Sequence, residues 1–154
     1  MAILKHISVK NRFYSSAVEY LTCQFDEYTN KPVLDEKGRI QERENYLIAG
    51  VNCDVDSFGA ECIEVNRLYG KNNSIKDVKA HHYIISFEPN DPITMEQALE
   101  FGKQWLSVFA PGHQAVVAVH PDGHNGSQNM HVHMVINSVR KYAGKQSRWH
   151  EKPC

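Results

Sequence analysis

Met130-His131-Val132-His133-Met134-Val135-Ile136 is the stretch on which the reading of this 154-residue chain turns. Successive side chains of an extended strand alternate between faces, so His131 and His133 share one surface while Val132 and Met134 enter the opposite layer. A second apolar run, Gln114 to His120, ends eleven residues before His131. The nine residues between, Pro121 to Asn129, hold glycine at 123 and 126, which suits the loop of a hairpin. Such a hairpin brings His120 beside His131. Three imidazoles on one surface are neutral nitrogen donors with coordination positions to spare, the ligand set of a catalytic divalent metal site.

Length and composition limit what surrounds that site. With 154 residues, 42% of them apolar and 23% charged, the chain suffices for one domain with a real core and is short for two. We expect one domain over 1–154. No run of about 18 apolar residues occurs and the start, Met1-Ala-Ile-Leu-Lys5, has no secretory pattern, so the expected location is cytoplasmic. Cys23, Cys53, Cys62 and Cys154 form no CxxC pair, which fits free thiols. The polar stretch ending at Cys154 reads as a cut from a longer protein. The formal net charge of −1 gives no bulk electrostatic support to nucleic-acid binding, so such a function must rest on a local basic face or a metal.

Periodicity outlines the elements. Ile3 to Val9 alternates as a strand, and a short helix opens at Ser15 or Ser16 and carries Tyr20. Residues 31–52 read as a hairpin or irregular insert with a turn at Asp35-Glu-Lys-Gly38. A helix from Asp56 or Ser57 runs to Tyr69 and stops at Gly70; Ala80 to Phe87 is a strand. Thr94, with Glu96-Gln97 after it, caps a helix ending at Pro111-Gly112, and the two strands of the histidine hairpin follow. This order predicts an α+β domain: a central, mostly antiparallel sheet with helices packed on one face, two layers in all.

Several other residues are candidates. Asp122, in an Asp-Gly pair, reads as a turn residue, with a further ligand or an acceptor holding an imidazole as alternatives. His113 and His124 read as solvated loop residues.

The run His120-Pro-Asp122 through Asn129-Met-His131-Val-His133-Met-Val-Ile-Asn137 resembles the third motif of conjugative and mobilisation relaxases of the MobA/MobL-like kind, members of the HUH endonucleases. Val18-Glu-Tyr20-Leu-Thr22 resembles their nucleophile helix, and His82-Tyr-Ile-Ile-Ser86-Phe87 their second motif, so the likeness spans nearly the whole chain. It implies nicking of a specific single-stranded or hairpin site at an origin of transfer, with Tyr20 bonded to the 5′ phosphate. It also implies magnesium or manganese in use, although three imidazoles favour softer transition metals. Accessory DNA-processing proteins are the further partners it suggests. Tyr14 and Tyr28 stay open as alternatives to Tyr20, with His6 behind them. His82 and Ser86 share a strand face; His82 is read as a group supporting a ligand or acting as base, Ser86 as a phosphate contact, and each alternatively as a satisfied polar residue. Candidate DNA contacts are Asn137 on the metal strand, Arg140 and Lys141 following it, and Lys5, Lys10 and Arg12 flanking the tyrosine helix.

The chemistry is coherent. Neutral ligands leave a cation its full double charge for polarising a diester, and an aryl phosphodiester stores the cleaved bond reversibly. Three other classes compete. A non-enzymatic nucleic-acid-binding module with a structural metal requires a fourth ligand, for which only Asp122 offers itself. A rolling-circle replication initiator places its histidine pair before its tyrosine, the reverse of the order here. A histidine-triad hydrolase requires a third alternate histidine where this chain has Val135.

Overall fold

In a computed structural model, the protein is described at residues 3–10, 14–23, 31, 33–39, 41, 45–72, 74, 76–121 and 129–142. Five strands, β1 (Ile3–Val9), β2 (Leu47–Val51), β3 (Ala80–Ser86), β4 (His113–His120) and β5 (His131–Arg140), form one sheet in the order β1-β3-β5-β4-β2. Every neighbouring pair is antiparallel, as the element order predicts. The helices are α1 (Tyr14–Thr22), α2 (Phe58–Tyr69) and α3 (Met95–Phe109).

The position of β5 explains its composition. It is the middle strand, and all ten of its residues are buried, so both faces must be apolar or internally satisfied. Its pairing with β4 places His120 opposite His131 and Ala118 opposite His133, the register of the predicted hairpin. Pairing with β3 places Ser86 opposite His131 and His82 opposite Val135.

The two faces carry separate cores. Ala115, Val117, Val119, Val132, Met134 and Ile136 cluster with Ala98 and Leu106 of α3. The alternate residues Val116, Ala118 and Val135 cluster with Tyr14 and Leu21 of α1 and Phe58 and Cys62 of α2. Helices therefore cover both faces, and the molecule has three layers where the sequence led to two. The α+β class and the helix-packed antiparallel sheet stand; the single covered face is corrected. Which face a helix takes depends on the path of its connection, which residue periodicity does not encode.

Local signals account for the helix ends. Thr94 Oγ1 accepts the Gln97 N–H while the Gln97 side chain accepts the Thr94 N–H, a closed capping box at the start of α3. Gly70, at φ 62°, ends α2 in the left-handed region. In the insert, Asp35 accepts the N–H groups of Lys37 and Arg39, which builds the predicted turn.

The contact of α3 with the sheet is close. A Cβ on Gly102 would lie 2.8 Å from Val117 Cγ1 and 3.0 Å from Val132 Cγ1. Alanine is favoured over glycine inside a helix by about 1 kcal/mol, so propensity alone argues that Gly102→Ala stabilises. Valine is stiff at χ1 and the strands behind it are fixed, so overpacking should outweigh that gain and leave a net loss of about 1–2 kcal/mol. Thermal unfolding checks the sign: a higher Tm would mean that α3 can lift from the sheet without loss.

Candidate metal centre

The centre sits on the α1 and α2 face, at the end of the β4–β5 hairpin. His120, His131 and His133 are 1%, 6% and 2% exposed, and each offers a ligand atom, all three lying within 4.8 Å of one another. Ring centroids are 4.6 Å apart for His120 and His133, 4.7 Å for His131 and His133, and 5.2 Å for His120 and His131. The sequence reading brought these three together, and the structure does so.

Hydrogen bonds decide which nitrogen each ring presents. His120 Nε2 lies 2.8 Å from the Leu21 carbonyl and His131 Nδ1 lies 3.1 Å from the Asn129 carbonyl. A carbonyl only accepts, so those nitrogens carry the protons and the lone pairs sit on His120 Nδ1 and His131 Nε2. His133 Nδ1 is 2.8 Å from His82 Nε2. His120 Nδ1 and His133 Nε2 are buried nitrogens that make no hydrogen bond, a costly arrangement in an apolar interior and the one a cation resolves. The donor set fits a divalent ion whose ligands are each oriented by an outer partner.

His82 holds His133. Burial, with the Lys5 charge adding to it, pushes His82 down to about 4, so the ring is neutral near pH 7 with one donor and one acceptor nitrogen. It is engaged ring to ring with His133. Replacing it with alanine should lower manganese affinity about 10- to 100-fold. Calorimetry on folded His82→Ala protein measures this, and an unchanged Kd would remove His82 from the site.

The other expected residues divide. Ser86 is half-buried directly beside His131 on the neighbouring strand. Tyr20 lies in the last turn of α1, and its side chain is outside the described residues, as are Asp122, Arg12, His124 and Tyr28 altogether. The residue after Tyr20 is Leu21, the one whose carbonyl meets His120. Tyr14 is 4% exposed among Asn66, Asn72, Asn137 and the Lys79 carbonyl, and burial pushes its phenol up to about 12, which counts against it as a nucleophile.

Three expectations are corrected. Asn137 is wholly buried, hydrogen-bonded to Tyr14, Asn66 and Gln114, and so meets no DNA. Arg140 is also buried, its stem packed over Gly112, and Lys141 beyond it reaches back to the Asn52 carbonyl. Arg140 ends β5, seven residues beyond His133, and Lys141 follows it. His113 is a buried β4 residue at 2.7 Å from the Asn137 carbonyl, not a solvated loop residue. Lys10 is exposed after β1. Lys5, expected from sequence only as one of the cations flanking the tyrosine helix, pairs with Ile84, which pairs with His133, so its exposed charge lies two strands from the centre on the same face. Strand alternation counted from the sheet order reveals it, and the sequence alone does not supply that order.

Comparison with known proteins gives the same direction. Residues 28–152 match the family described as relaxase, MobA/VirD2-like, nuclease domain. The chain is 36% identical over 104 residues to Protein rlx of Staphylococcus aureus, covering 68% of this chain and 30% of that protein. It is 39% identical over 93 residues to the group II intron-interrupted relaxase LtrB of Lactococcus lactis subsp. cremoris, covering 60% of this chain and 14% of that protein. The alignments thus reach less than a third of the length of either relative.

Proposed function

The chain belongs to the MobA/VirD2-like relaxase nuclease-domain family, a DNA-nicking family, and from that premise we propose that it cleaves single-stranded DNA at one site of an origin of transfer and keeps the 5′ end on Tyr20. The observation that carries the proposal is the juxtaposition of three oriented imidazoles with the helix that bears this tyrosine, through the His120 to Leu21 hydrogen bond.

His120, His131 and His133 would hold the ion, with His82 and the Leu21 and Asn129 carbonyls fixing the rings. A divalent cation there would supply positive charge, not offset by anionic ligands, for polarising a diester. The Tyr20 oxygen bonds to phosphorus as the bond to the 3′ oxygen breaks; the phenol gives up its proton and the departing 3′ oxygen takes one up. One ester replaces another, so the linkage keeps the energy of the broken bond and the step can run backward to rejoin the strand. Lys5, on the same face, and Ser86, beside His131, would steady neighbouring phosphates. Among the described residues no helix is long and apolar enough to cross a membrane.

The test uses single-stranded oligonucleotides tiled across the DNA that flanks the gene, with inverted repeats taken first, incubated with the protein and manganese. A band that survives denaturation and carries both protein and the 5′-terminal phosphate supports the proposal. Products with free 5′ phosphates and no protein attached would replace transesterification with hydrolysis.

A further inference from the structure

Helix α1 is nine residues long, with no acidic residue in its first turn and no basic one in its last. Helices below about 12 residues do not hold themselves in water, so contacts must place this one. Two polar tethers do. At its C-terminal end, the carbonyl of fully buried Leu21 accepts from His120 Nε2 at 2.8 Å. At its N-terminal end, Tyr14 enters a buried set of amides. Its hydroxyl lies 3.1 Å from both Asn137 Oδ1 and the Lys79 carbonyl, and it accepts from Asn66 Nδ2 at 2.7 Å and Asn72 Nδ2 at 3.4 Å. Asn137 Nδ2 in turn donates to Asn66 Oδ1 at 3.2 Å and Gln114 Oε1 at 3.1 Å.

The partners matter more than their number. Asn137 stands on β5 four residues beyond His133 and on its face, so one end of α1 is fastened to the strand of the ligands and the other to a ligand itself. An apolar side chain at 14 would fill the same space against Phe58, which meets the Tyr14 ring edge-on at 5.9 Å. Burying a hydroxyl and several amides is favourable only in the one arrangement that pairs them, so the network selects a position for the helix as well as filling volume.

We infer that Tyr14 is a positioning residue for strand cleavage: its hydroxyl, through Asn137 and Asn66, sets the helix that carries Tyr20 at a fixed place along the strand that carries His131 and His133. The inference rests on the reading of Tyr20 as nucleophile. Near-attack geometry is steep, and a misplacement of about 1 Å lowers a rate about 100-fold.

Tyr14→Phe keeps the ring and removes the hydroxyl. With saturating oligonucleotide containing the cleaved site, saturating manganese and a temperature below the variant's unfolding, the single-turnover rate of adduct formation should fall about 10- to 100-fold. The Kd values for manganese and for the oligonucleotide should stay within about threefold of wild type, because neither ligand touches Tyr14. A residue that only stabilised the fold would leave that rate unchanged. Asn66→Ala, which removes one donor to the hydroxyl, should slow the same step and keeps the inference testable should Tyr14→Phe not fold. Hydrogen exchange should show faster α1 amides in either variant, with β5 unchanged. Wild-type rates in the folded variants, alongside a Tyr20→Phe protein that makes no adduct, would overturn the inference alone. An adduct that survives Tyr20→Phe would overturn the reading beneath it.

Discussion

Tyr20→Phe is expected to abolish the covalent protein–DNA product, by at least about 1000-fold, while manganese and DNA affinities hold near wild type. The phenyl ring fills the volume of the phenol, so α1 has no reason to repack. Lost with the hydroxyl is the only atom in the proposed step that forms the new bond to phosphorus. Water can in principle attack instead, which makes the product more telling than the rate. Residual cleavage leaving a free 5′ phosphate would mean that the metal side of the site works unaided and that the tyrosine supplies the nucleophile and nothing else. An unchanged adduct would move the role to another residue. Burial argues against Tyr14 for that role, since its hydroxyl is pushed up to about 12 and engaged on several sides. The assay is a denaturing gel with labelled oligonucleotide, together with calorimetric titration of both ligands.

The histidine cluster was legible because two independent periodicities converge on it. Alternation fixes His131 and His133 to one face, and a nine-residue connection between apolar runs leaves a hairpin as the simple closure, which sets His120 beside them. The helix boundaries were legible from their caps, Thr94 with Gln97 and Gly70. Long-range pairing was not. His113, Asn137 and Arg140 are polar residues at strand positions, and by composition such residues read as solvated or as ligand contacts. All three are buried because β4 and β5 are interior strands covered on both faces. The amide set around Tyr14 brings to its hydroxyl residues 52 to 123 positions away in sequence, and no local pattern announces a group that pairs only when folded. The nearness of Lys5 to His133 was hidden for the same reason, since it exists only through the order β1-β3-β5. The faces taken by α2 and α3 depend likewise on loop paths and not on the apolar stripe of either helix.

His131→Ala and His133→Ala should each remove cleavage and lower manganese affinity more than about 100-fold, beyond the effect expected at His82, because they delete a ligand and not its support. The reading predicts a second effect that needs no DNA. A cation that binds only the folded protein stabilises it by RT ln(1 + [L]/Kd), about 2.7 kcal/mol at a concentration 100 times Kd, so manganese should raise the Tm of the wild type and not of either variant. The apo variants report on what the rings contribute alone. His133→Ala leaves the buried His82 nitrogen without its 2.8 Å partner and opens a cavity beside Ala118, so its apo Tm should fall further than that of His131→Ala, whose hydrogen bond is to a backbone carbonyl at the loop. A carboxylate then separates holding the ion from charging it. His131→Asp supplies an oxygen ligand that manganese accepts, while cutting the net charge of the bound centre from +2 to +1. Retained thermal stabilisation by manganese with a strongly reduced adduct rate would show that neutral ligation serves the electrostatics of the reaction. A rate equal to wild type in that variant would make the charge argument for three imidazoles wrong, and metal-induced stabilisation that persists in both alanine variants would place the ion elsewhere.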